Sequence, residues 1–197
     1  MGTRIPALTV SVFLAMGVSL AHGQTPVTTR ADSPPISDPK FVEQATAAGL
    51  AEVEVSKIAA QKATSPDVKA FAQEMVRDHE TANAELKKIA EASGFPTEGS
   101  KGSPPTTGEQ GAALQPAQSL ETLSGAEFDR EYMVMQVKDH DDAVKLYEAQ
   151  AANSQDDELR GFATAQLPAL KRHLERARAI ADPLIGSEAA TGTTGTK

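Results

Sequence analysis

Residues 63–90 read ATSPDVKAFAQEMVRDHETANAELKKIA. Ser65 can cap the free N–H groups of a helix, Pro66 suits its first position, and Asp67 complements the positive end of its dipole. From there Val68, Phe71, Met75, His79, Ala82, Leu86 and Ile89 recur at intervals of three or four, the period of one helical face. The stripe stops at ASGFP, where Gly94 can adopt the left-handed cap and Pro96 cannot continue the helix. A helix this long must bury its stripe against partners, and this stripe has a histidine in its middle.

The partners follow the same punctuation. Residues 134–143, VMQVKDHDDA, repeat the order Val, basic residue, Asp, His found in residues 72–81, AQEMVRDHET. They belong to a helix expected from SGAE, with Ser124 and Glu127 as a capping box, to about Asn153. Its stripe is Met133, Val137, His140, Val144, Tyr147 and Ala151. NSQDDEL then opens a fourth helix expected to end before Pro183, with Phe162, Gln166, Leu170, His173, Ala177 and Ile180 on one face. Pro168 removes the bond to Thr164, so a kink is expected there. Upstream, SDPKF starts the first helix, with Asp38 as cap and Pro39 next. Phe41, Ala45, Ala48, Glu52, Val55 and Ala59 form its stripe. Gly49 inside it costs about 1 kcal/mol relative to Ala and implies a close approach.

Short connections make successive helices antiparallel. The expected fold is all-α, an antiparallel four-helix bundle over residues 38–182. A short extra helix is expected from about Ala113 to Leu123, after a flexible Gly, Pro, Ser and Thr loop at 96–111. Residues 24–37 read as a flexible linker and 183–197 as a disordered tail. Residues 1–23 read as a cleaved signal peptide: Arg4, a mostly apolar run from Ile5 to Leu20, then small residues. That run is shorter than the roughly 20 residues a bilayer span needs, so no stable membrane span is expected after cleavage. These features predict a periplasmic or secreted protein of a bacterial envelope.

Composition narrows the chemistry. Aromatic residues are 4 % of the chain and Trp is absent, so the core is expected to be built mainly from Ala, Leu, Val, Ile and Met, as helix bundles are. There are 19 basic and 27 acidic residues, a net charge of −8, which repels a nucleic-acid backbone except at any local basic patch, so no nucleic-acid partner is expected. Without cysteine there can be no disulfide, lipid-modified cysteine or thiolate site. No phosphate loop, nucleophile elbow or His-Glu-x-x-His helix is present, and no catalytic constellation is expected.

What remains is a polar set on apolar stripes. Glu52, His79, His140 and His173 each fall on the inward face of a different helix. For any one of them a hydrogen-bonded interior residue is the simpler reading. Together they make a candidate metal centre of the kind bundles build in their cores, suited to a divalent transition metal such as Zn, Fe or Cu. The carboxylate-bridged di-iron pattern needs Glu three residues before His, and those positions hold Val76, Val137 and Leu170. Met75, Met133 and Met135 read as core filler.

The segments FVEQATAAGLAEVEVSKIAAQKATSPDVKAFAQEMVRDHETANAELKKIA and LSGAEFDREYMVMQVKDHDDAVKLYEAQAANSQDDELRGFATAQLPALKRHLERARAI resemble the ferritin-like exported bacterial family known as domain of unknown function 4142. GLAEVE in the first helix, FDREYM in the third and the three helical histidines carry the resemblance, which spans about Asp38 to Ala181. It implies a ferritin-like bundle in the bacterial envelope and no particular activity. It directs attention to Glu52, His79, His140 and His173, with Asp78 and Asp139 beside them. Two functions stand. One is a non-enzymatic envelope or stress-related protein, acting through its acidic surface on an unknown protein partner or by self-association. The other is a metal-binding bundle with a storage or redox role.

Overall fold

The computed structural model describes residues 36–95 and 120–191, with side chains through residue 186. Those residues are all-helical: α1 (Asp38–Lys62), α2 (Pro66–Ala92), α3 (Gly125–Asn153) and α4 (Asp157–Thr191). The expected signal peptide, most of the linker and the 96–111 loop lie outside the described residues, as does the expected short helix except for its helical end at Leu120 and Glu121.

Three-residue turns join α1 to α2 and α3 to α4, so each pair is an antiparallel hairpin. The hairpins pack face to face, α2 on α4 and α1 on α3, giving a ring in the order α1–α2–α4–α3. This is the expected four-helix bundle.

The helix ends differ in detail from their sequence signals. Ser65 caps α2 as expected, accepting from Val68 N–H at 3.5 Å, and Asp156 caps α4 through Leu159 N–H at 2.9 Å. Gly94 closes α2 at φ 73°. Phe95 N–H then bonds the Ala90 carbonyl at 2.8 Å, and its ring packs against the core. Asp38 is not a cap: Ser37 holds that position without a side-chain bond. The Asp38 carboxylate instead crosses to the other hairpin. It accepts from Gln150 Nε2 at 2.6 Å, Ser154 Oγ at 2.7 Å and the backbone N–H groups of Gln155 and Asp156 at 3.3 and 3.2 Å. Asp129 of α3 returns the favour to the α1–α2 turn. It accepts from Thr64 N–H, Thr64 Oγ1 and Ser65 N–H, the last two at 2.6 and 2.7 Å. Ser124 sits at the N-cap of α3 but makes no side-chain bond, so the expected capping box does not form.

α4 does not end before Pro183 but continues to Thr191, with Pro168 and Pro183 both inside it. A helical proline sacrifices one backbone bond. Burial of Ala181 and packing of Leu184 against the core hold the chain on the bundle across that gap.

The apolar core is in two parts, and despite the low aromatic content its largest buried side chains are Tyr132, Phe41, Phe71 and Phe128. Val55, Ala59, Val68, Phe71, Met75, Phe128, Tyr132, Met133 and Ala177 form one. Phe41, Val42, Ala45, Leu86, Ala90, Leu159 and Phe162 form the other. Each large side chain buried this way contributes about 1.5–3 kcal/mol. Between them the interior is polar.

In α1 the inward face runs through Gly49, which is buried, while Ala48 is exposed. This corrects the expected stripe by one residue. A Cβ on Gly49 would lie 2.0 Å from Asn83 Oδ1 of α2, so the glycine makes room for the Asn83 amide between the two helices. Gly49→Leu should therefore lower the melting temperature by about 3–10 °C through overpacking. Ala48→Leu, next to it but facing water, should move it by no more than about 2 °C. Equal effects in thermal melts would remove the close-approach argument.

Candidate metal centre

Three helices deliver one histidine each to the polar middle of the bundle: His79 from α2, His140 from α3 and His173 from α4. Their ring centroids form a near-equilateral triangle, 5.6 Å from His79 to His140, 6.0 Å from His79 to His173 and 5.4 Å from His140 to His173. One ring nitrogen from each lies within 4.8 Å of the others. Ligands about 2.0–2.1 Å from a shared ion stand no more than about 4.2 Å apart, so the spacing of the three rings is of the order that one ion requires.

His140 and His173 are 1 % and 3 % exposed, and His79 is partly buried. Each ring has a buried nitrogen without a hydrogen-bond partner: Nε2 of His79, Nε2 of His140 and Nδ1 of His173. Buried polar atoms are nearly always paired, so three orphans in one cluster need an explanation. Nδ1 of His140 lies 3.0 Å from the Gln136 carbonyl. A carbonyl only accepts, so Nδ1 carries the proton and Nε2 the lone pair. Nε2 of His173 lies 3.0 Å from Asp78 Oδ2.

The rings are held neutral. Burial, then the neighbouring rings of His140 and His173, lowers His79 to about 3. Burial, then His173, lowers His140 to about 4 against the opposing Gln136 bond. His173 is also lowered by burial, with Asp78 opposing. At neutral pH the cluster therefore offers imidazole lone pairs, the form in which histidine binds metal.

Glu52 is near this cluster but not of it. Its buried carboxyl accepts Gln136 Nε2 at 2.7 Å. Burial raises it to about 8, with the Gln136 bond opposing and Asp139 adding to the rise. Of the four residues singled out in the sequence, the described structure groups three and assigns the fourth to an amide. Asp139 is partly buried on the flank and pushed upward by burial. One turn from Glu52, Ser56 and Tyr132 share a buried 2.9 Å hydroxyl bond. The sequence reading passed over Gln136, which is fully buried; its spacing of four residues before His140 was the available signal.

On the α2–α4 side, Glu74, Asp78 and His173 form a second group of potential ligands, but Glu74 is ion-paired with Arg176. Among the described residues, no helix is long and apolar enough to cross a membrane.

No curated protein matches the chain. A solved structure described as "CopM in the Cu(II)-bound form" shares 20 % identity, covers 76 % of this chain and 99 % of its own, and superposes with a TM-score of 0.62. That likeness is one of fold. A family model described as "Domain of unknown function (DUF4142)" matches residues 24–180.

Proposed function

We propose that this chain, which belongs to the DUF4142 family, binds one transition-metal ion, copper(II) foremost, at His79, His140 and His173. The observation that carries this reading is the convergence of three histidine rings from three helices, each with a buried, unpartnered nitrogen. An all-imidazole set suits Cu, Zn and Ni, and among these divalent ions intrinsic affinity peaks at Cu(II). The similar fold seen with bound Cu(II) makes copper the first ion to test. Glu52 supports the interior through Gln136 rather than acting as a ligand, which leaves a neutral donor set. The reading is of a binding protein, for storage or transfer, rather than of an enzyme. We place it in the cell envelope on the signal-like residues 1–23, which N-terminal sequencing of the mature protein would check.

Calorimetric titration of untagged protein should show one Cu(II) per chain. His140→Ala and His173→Ala should each weaken binding by at least about 100-fold, the order expected when a ligand rather than its support is lost. Because His79 and His140 resist protonation down to about 3 and 4, binding should persist at about pH 5.5, where exposed histidines are largely charged. Failure of the wild type to bind Cu(II), Zn or Ni saturably in the micromolar range would sink the reading. The centre would then be a structural polar layer, and His79→Phe would be tolerated at a cost of a few kcal/mol at most.

A further inference from the structure

His173 has a different neighbour at each ring nitrogen. Nε2 meets the Asp78 carboxylate at 3.0 Å, and Nδ1 is buried with no partner. A carboxylate that is ionised can only accept, so the proton between them belongs to the ring, and Nδ1 must then carry the lone pair. The other carboxylate within reach, Glu74, is committed to Arg176. Asp78 is therefore the group that decides the tautomer. At His140 the arrangement is reversed: the Gln136 carbonyl takes Nδ1–H and leaves Nε2.

We infer that Asp78 is the positioning residue of the metal centre: it fixes His173 to ligate through Nδ1 while His140 ligates through Nε2. This rests on the metal-binding reading and adds to it which atoms bind and what orients them. Asp78 touches no ion. It acts through the imidazole, by holding the ring's orientation and by placing a negative charge behind a donor set that is otherwise neutral. Outer partners of this kind typically support metal affinity by 10–100-fold.

Two measurements on the full chain test it. Nitrogen-15 NMR of the metal-free protein should show His173 with a protonated Nε2 and an unprotonated Nδ1. In Asp78→Ala that preference should give way to a mixture of tautomers, in a protein that circular dichroism shows to be folded. In Cu(II) titrations, Asp78→Ala should bind about 10–100-fold more weakly than wild type. Asp78→Asn, which keeps an acceptor oxygen without the charge, should fall between them. Glu74→Gln should stay within about threefold of wild type, less than the loss of an outer partner produces. A wild-type His173 protonated at Nδ1, or an Asp78→Ala affinity within about threefold of wild type, would overturn the inference. If the wild type binds none of Cu(II), Zn and Ni, the metal reading falls and takes the positioning role with it, whatever tautomer the spectrum shows. Wild-type binding with unaffected Asp78 variants removes this inference alone.

Discussion

Metal-free protein unfolded by denaturant at a series of pH values should be most stable near pH 6.5 and lose stability on both sides. On the acid side the cause is the histidines. His79 and His140 titrate at about 3 and 4 in the folded protein and near 6.5 when unfolded. As pH falls below 6.5 the unfolded chain takes up protons that the folded protein refuses, so their contribution is full above 6.5 and lost below it. His173 is shifted in the same direction. Glu52 has the opposite sign. Raised to about 8, it keeps a proton in the folded state that the unfolded chain releases above about 4.5. Its contribution is full below 4.5 and lost as pH rises through 8. From pH 8 down to 6.5 Glu52 leads and adds about 2 kcal/mol, at about 1.4 kcal/mol per unit. Below 6.5 the lowered histidines outweigh the raised carboxyls of Glu52 and Asp139, with a net loss on the order of a few kcal/mol by pH 4. The carboxyls of Asp141 and Asp156 are lowered and titrate below this window. Glu52→Gln should flatten the alkaline limb and leave the acid limb in place. A stability that rises steadily from pH 6.5 to 8 would show that Glu52 is ionised in the folded protein.

Asp129→Ala should destabilise the protein by about 3–5 kcal/mol, the range for removing a buried charged partner and leaving several donors behind. The carboxylate is 2 % exposed. It receives Thr64 N–H at 3.0 and 3.2 Å, Thr64 Oγ1 at 2.6 Å and Ser65 N–H at 2.7 Å. Two of those donors are backbone groups at the α1–α2 turn, with no helical carbonyl to turn to. Asp129→Asn should cost less, since one oxygen still accepts while the amide opposes another donor. Denaturant midpoints read at constant slope would measure both, and a loss below about 1 kcal/mol for Asp129→Ala would mean that water replaces the carboxylate at the turn.

Neither Asp129 nor Asp38 announces this role in the sequence. A cap is a local device and can be read from a Ser or Asp beside a Pro, as at Ser65. A carboxylate that reaches the turn of another hairpin depends on docking, which no spacing encodes. The same distinction runs through the centre. Helical period put His79, His140 and His173 on inward faces, though only the docked helices bring them to one height. It put Glu52 inward as well, but whether it met a ring or the Gln136 amide depended on the relative height of α1 and α3. Gly49 was legible because a helical glycine has a cost that needs a cause. Pro183 misled, because the burial of Ala181 and the packing of Leu184 outweigh one lost backbone bond.

The division of the three histidines between the hairpins has a kinetic consequence. α1 and α2 supply His79, whereas α3 and α4 supply both His140 and His173. Hairpins of this length form from local contacts and come early, while their docking closes the long-range contacts. Before docking, no ion can meet more than two of the rings, and afterwards it meets all three. An ion bound there would slow the separation of the hairpins far more than it would speed their formation, acting as a latch on an assembled bundle rather than as a nucleus for building one.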